Sequence, residues 1–190
     1  MPPARLAVML SGGGRTLLNL CDAADAGRIP ARVALAIVSA DNAGAQRARE
    51  RGLPTLVLPG VIPADHLERT LREHAIDWVV LAGYLKKVRI PPAYRGHVVN
   101  IHPALLPDFG GPGMYGDRVH AAVLASGAKH SGCTVHLCDE EYDRGPIILQ
   151  RTCPVLPGDD TRSLAARVFE QERLAYPEAL AILLSRTPPA

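Results

Sequence analysis

Asn100 and His102, in the stretch HVVNIHPALLP (97–107), are the residues here best placed to do chemistry. Val98 and Val99 read as the end of a buried strand. Residues two apart on a strand project from one face, about 6.5 Å apart along it. Pro103 biases His102 away from helix, and Pro107 stiffens the exit. A carboxamide and an imidazole held side by side can donate hydrogen bonds to a developing negative charge. On this pair alone, a capped strand end with a satisfied histidine accounts for the residues equally well.

Other motifs add weight. Ser11-Gly12-Gly13-Gly14-Arg15-Thr16 lies between a strand-like run and a helix-like one. Glycines there let backbone N–H groups approach an anion, and the helix N-terminus favours negative charge. The spacing matches neither a dinucleotide fingerprint nor a nucleoside-triphosphate loop, so a phosphate monoester fits best. In the acidic turn DEEYDRGP (139–146), Glu140 and Glu141 read as a solvated tip. Asp143 differs, because Gly145 and Pro146 fix the bend beside it; near His102 it would raise the imidazole pKa. Glu172, bordering an apolar helix face, is either a salt-bridged edge residue or a contact for a substrate ammonium or hydroxyl. Leu85-Lys86-Lys87-Val88-Arg89 is a solvated basic run or a ligand-lining loop, and the glycines at 110, 111 and 113 form a lid or a plain loop.

Alternating elements must position these groups. Strands are expected at Arg5–Leu10, Val33–Val38, Leu56–Leu58, Trp78–Ala82 and His97–Ile101, with helices following the first three. Trp78–Ala82 is continuously apolar, as a strand covered on both faces should be. This pattern predicts an α/β domain with a largely parallel sheet and its working groups beyond the carboxyl ends of the strands, so the loops at Gly14, Gly83 and His102 could share one edge. A short helix at Arg118–Ser126 precedes a hairpin, Thr134–Leu137 and Ile147–Arg151, which makes the sheet mixed. The last helix should begin near Thr161 and be kinked or divided by Pro177, leaving Arg186–Ala190 as a tail.

At 190 residues, with no repeat and no long linker, one domain over 1–190 is expected. A net charge of +2, scattered basic residues and 4% aromatics argue against a nucleic-acid partner. Cys21, Cys133, Cys138 and Cys153 form no metal-ligand or CxxC pattern and fit a reducing compartment. No membrane span or signal peptide is evident, which points to a cytoplasmic protein.

The chain resembles the folate-dependent phosphoribosylglycinamide formyltransferases, most specifically in NIHPALLP (100–107) and GCTVHLCDEEYDRGPIILQ (132–150), which carries the family's D-x-G at Asp143–Gly145. SGGG (11–14), VVLAGYLKKV (79–88) and QERLAYP (171–177) support it. The resemblance implies a Rossmann-like formyltransferase fold, a mostly parallel mixed sheet with helices on both faces. It implies catalytic positions at Asn100, His102 and Asp143, and a substrate phosphate on Gly12, Gly13, Gly14, Arg15 and Thr16, with Glu172 contacting the ribotide. Leu85, Lys86, Lys87, Val88, Asn100, Asp139, Glu140 and Asp143 would hold 10-formyltetrahydrofolate. No metal is implied, and the chain would be a monomer or homodimer acting on small molecules. The alternatives are a formyltetrahydrofolate hydrolase, whose relatives carry an N-terminal regulatory domain not seen before the glycine loop, and a non-catalytic phosphate-ligand module. The family often has Ser-Asn or Thr-Asn where Arg15-Thr16 stand. Its folate-contacting arginine has no counterpart near Pro63-Ala64.

Overall fold

The computed structural model describes residues 2–186. Seven strands, β1 (Ala4–Leu10), β2 (Ala31–Val38), β3 (Thr55–Val57), β4 (Trp78–Leu81), β5 (Val98–His102), β6 (His130–Leu137) and β7 (Ile147–Pro154), form one sheet in the order β3-β2-β1-β4-β5-β6-β7. The first five run parallel, and β6 and β7 are antiparallel to their neighbours. The chain crosses from one side of β1 to the other between β3 and β4, the topology that opens a crevice at the carboxyl ends of such strands. The loops after β1 and β4 meet there: the Ser11 amide donates to the Gly83 carbonyl at 3.1 Å, and the Leu85 amide to Ser11 Oγ at 3.0 Å.

Strand alternation divides the core. Leu6, Val8 and Leu10 pack with α1 (Arg15–Asp25), α2 (Ala43–Glu50), α4 (Asp117–Ser126) and α5 (Thr161–Arg186). Ala7 and Met9 face the other way, onto Leu67 and Leu71 of α3 (Ala64–Glu73). Helices thus cover both faces, as the apolar runs required. On β5, Val99 and Ile101 join the first core and Val98 the second. Asn100 and His102 are therefore in phase with Val98 and share one face, as the spacing predicted.

The last helix meets the expectation at Pro177 only in part, since the chain is not divided there. Pro177 neither ends nor divides α5, which is continuous from Thr161 to Arg186; Thr187–Ala190, most of the expected tail, lie outside the described residues. A proline frees the carbonyl four residues earlier, that of Arg173. Asn19 of α1 supplies the missing donor, its Nδ2 lying 3.0 Å from that oxygen. Tyr176, beside the proline and fully buried, points its hydroxyl at the Leu81 and Val99 carbonyls, 2.9 and 3.1 Å away. The helix is thus tied to β4 and β5 next to the Asn100 strand end. Asn19→Ala is expected to cost about 1 kcal/mol, the net worth of one hydrogen bond, read as a lower urea midpoint. An unchanged midpoint would show that water serves the Arg173 carbonyl equally well.

Candidate active site

The carboxyl edge of the sheet opens into a cleft of about 510 Å³. One end is the glycine loop, and the other holds Asn100, His102 and Asp143. Leu85, Lys86, Lys87, Val88, Asp139, Glu140 and Glu172 also line it, so every residue to which the resemblance gives a catalytic or binding role borders this one space, whereas Arg89 and Gly110 do not line it. Asp139, Glu140 and Glu141 are exposed, as expected of a hairpin tip, and Glu140 also reaches Arg95 at 3.3 Å.

The register of β5 on β6 builds the polar end. Asn100 lies opposite His136 and His102 opposite Thr134, so all four share a face. Asn100 Nδ2 is 3.1 Å from His136 Nε2, while His136 Nδ1 lies 2.9 Å from the Leu137 carbonyl. The second contact requires Nδ1–H, which leaves Nε2 as acceptor and the Asn100 amide as donor. Thr134 Oγ1 donates to the Ala104 carbonyl at 2.7 Å and accepts from the Leu106 amide at 3.0 Å, fixing the loop that leaves His102.

Asp143 sits between the two imidazoles. Its Oδ2 is 3.6 Å from His102 Nδ1 and its Oδ1 is 3.6 Å from His136 Nε2, while the Gly111 amide donates to Oδ2 at 2.9 Å. Asp143 adopts φ +56°, a left-handed conformation that aspartate tolerates better than most residues. Burial raises its pKa, but the proton either imidazole carries toward it when charged, together with the Gly111 amide, more than reverses this, so it is ionised at neutral pH.

His102 departs from expectation. Asp143 does push its pKa up, but burial acts more strongly and the net shift is downward. Only 3% of the residue is exposed, and loss of hydration penalises the imidazolium. Its Nε2 lies 2.8 Å from the Phe109 carbonyl, which assigns the proton of the neutral ring to Nε2. Phe109 holds that carbonyl in place from a left-handed conformation, φ +55°.

At the opposite end, Gly14 begins α1 with φ +79°, and a Cβ on it would lie 3.1 Å from Gly44 Cα. That glycine is demanded by the fold. Gly12 is not, since a Cβ there would meet nothing within 4 Å and its φ is unexceptional. Arg47 donates to the Gly13 carbonyl, and the Arg15 guanidinium stacks 4.0 Å from the Phe169 ring centre.

Glu172 makes no salt bridge or hydrogen bond among the described residues, so the edge-residue reading fails. Burial raises its pKa from 4.5 to about 7, opposed by Arg15. The folded state therefore holds this proton more tightly than the unfolded chain. The associated stability is complete below about pH 4.5 and is lost as pH rises toward 7. Glu172→Gln, which never ionises, is expected to gain Tm over wild type progressively across that window; a pH-independent difference would count against the raised pKa.

Two cleft residues carried no flag in the sequence. His136 alternates with Thr134 in TVHLC, a polar in–out pattern, but only the strand register brings it to Asn100. His120 is buried on α4 and also lines the cleft.

Comparison with known proteins agrees with this architecture. The chain is 42% identical to the chloroplastic phosphoribosylglycinamide formyltransferase of Vigna unguiculata, covering 94% of this chain and 60% of that protein. A Haemophilus influenzae phosphoribosylglycinamide formyltransferase is 36% identical over 91% of this chain and 84% of its own length. The crystal structure of glycinamide ribonucleotide transformylase 1 from Symbiobacterium toebii superposes with a TM-score of 0.89 at 37% identity, covering 97% of this chain and 89% of that one. The chain thus spans less than two thirds of the plant relatives, 60% and 64% of their lengths. The formyl transferase family model matches residues 4–180, nearly the whole of the sheet and helices that build the cleft, and the chain belongs to that family.

Proposed function

We propose that this protein is a phosphoribosylglycinamide formyltransferase of de novo purine (IMP) biosynthesis, a single cytoplasmic domain that moves the formyl group of 10-formyltetrahydrofolate onto the glycinamide amine. The observation that carries this reading is the convergence of Asn100, His102 and Asp143 at the far end of a cleft from a glycine loop. Gly12 supports the placement of the phosphate on Gly12–Thr16: the fold leaves room for a side chain there, so it is a ligand that needs the bare backbone. Glu172 contacts the ribotide between the two ends. Leu85–Val88, Asp139 and Glu140 hold the folate, with exposed Leu85 and the Lys87 ammonium, 5.6 Å from the Tyr142 ring centre, at the mouth.

The neutral amine attacks the formyl carbon and creates a tetrahedral oxyanion. The Asn100 N–H not aimed at His136 donates to it. His102 is neutral at rest, but a negative charge forming beside the ring offsets the hydration lost by burial and draws in a second proton from solvent, which the ring gives back as the carbonyl re-forms. Its Nε2–H then exchanges the Phe109 carbonyl for the oxyanion, and Asp143 stabilises the imidazolium at Nδ1. Resting neutrality is thus compatible with an acid role that appears only when charge develops, which favours the transition state over the ground state.

Spectroscopic turnover of a formylfolate analogue, with and without glycinamide ribotide, tests the proposal. Turnover only with the amine is expected. Turnover without it would identify a hydrolase, and phosphate-ligand binding with no turnover a non-catalytic module; either result would overturn the reading.

A further inference from the structure

The cleft contains three histidines, and two are committed. His102 directs Nε2 at the Phe109 carbonyl and Nδ1 at Asp143. His136 directs Nδ1 at the Leu137 carbonyl and shares Nε2 with Asn100. His120 makes no hydrogen bond or ion pair with any described residue. Its Nδ1 is wholly buried without a partner, although the residue is only 5% exposed and lines the cleft. A buried polar atom without a partner costs roughly 1–3 kcal/mol, so such an atom beside a reaction site calls for an explanation. Packing does not supply one: Val119 and Val123 flank His120 on the buried side of the same helix, and an apolar residue would fill that position without the cost.

We propose that His120 is a further catalytic residue, the base that first receives the proton of the attacking amine. This rests on the reading of the cleft as a site of formyl transfer to an amine. The amine nitrogen gives its lone pair to the formyl carbon, and the carbonyl π pair moves onto oxygen. The nitrogen, now carrying a positive charge, loses one proton to the imidazole. When the oxyanion pair re-forms the carbonyl, the bond from carbon to the folate nitrogen breaks. That nitrogen takes one proton, and His120 returns to its neutral form. Protons balance with no additional reagent.

The electrostatics suit a resting base. Burial lowers the His120 pKa and nearby His102 lowers it further, against the opposing effect of Asp117 on its own helix. The other ionisable groups lining the cleft include His136 and Asp143 at the same end, Glu172, and Arg15 toward the glycine loop. His120 is therefore uncharged at neutral pH, and its Nε2, which is not among the wholly buried atoms and bonds no described residue, has a lone pair to offer; His136 would have to release Asn100, and a proton taken by His102 is held beside Asp143.

The test is steady-state formyl transfer to glycinamide ribotide by wild type, His120→Ala and His120→Gln across pH, with and without free imidazole. A proton-transfer role predicts a kcat about 10²-fold or more lower in both variants, with a smaller change in KM. It also predicts partial recovery of His120→Ala by imidazole, and loss of the wild-type fall in kcat on the acid side. A kcat within about threefold of wild type, or a loss that imidazole does not relieve and that leaves the pH profile unchanged, overturns the inference. His120→Gln keeps a polar group of similar size, so its pH profile decides the matter if the alanine variant does not fold. Wild-type enzyme without amine-dependent turnover would overturn the functional reading and this inference together; amine-dependent turnover with an unaffected variant would overturn this inference alone.

Discussion

Asn100→Ala is expected to lower kcat by about 10²–10³, equivalent to about 3–4 kcal/mol of transition-state stabilisation, with little change in KM for either substrate. The amide is pre-aimed: β5 carries it to the cleft, and His136 engages one donor at 3.1 Å, fixing the plane of the group without consuming its second N–H. That second donor finds a full charge only in the tetrahedral state, so its loss falls on kcat. Asn100→Asp should be at least as damaging, because a carboxylate would repel both the oxyanion and Asp143. His136→Phe tests the orientation argument separately. It preserves the ring volume but releases the Asn100 amide, and an intermediate loss of kcat is expected. Full activity in folded Asn100→Ala would remove the oxyanion role altogether.

Much of this site could be read from the sequence because its side chains sit where local rules are strong. Asn100 and His102 follow a strand whose period fixes their common face, and Gly12–Thr16 lie at a strand–helix junction. The rest depended on relations that no local pattern encodes. His136 needed the antiparallel register of β5 on β6. The partner of His102 Nε2 is the backbone of Phe109, which has no side-chain signal. The protonation of His102 turned on a balance between burial and the Asp143 charge: the sign of each effect was foreseeable, but the excess of burial over charge required the depth of the site. Pro177 illustrates the same limit in the fold. The helix runs on through the proline, and the carbonyl it frees accepts from Asn19, 154 residues away in sequence.

Gly145→Ala is expected to destabilise the protein by about 3 kcal/mol or more and to abolish activity with it. Gly145 has no left-handed conformation to explain its identity. The reason is proximity: a Cβ there would lie 1.8 Å from the Leu137 carbonyl oxygen and 2.9 Å from its carbon. Both obstacles are backbone, so no rotamer change can relieve the clash. Neither can Leu137 retreat, because its amide is bonded at 2.9 Å to the Pro146 carbonyl and the next residue's amide, on Cys138, donates to Val98 on β5 at 2.8 Å. A shift of the Gly145 segment would instead displace Asp143, two residues earlier, from between His102 and His136. The third position of the Asp143–Gly145 signature thus serves the first, letting the chain cross against the end of β6 so that the carboxylate reaches both imidazoles. Gly158→Ala is the matched control: its φ is +84° but an added methyl would meet no atom within 4 Å, so only the backbone strain of roughly 1–2 kcal/mol applies. Chemical denaturation of the two variants should separate them clearly. Equal midpoints would mean that conformation, and not the approach of Leu137, is what requires glycine at position 145.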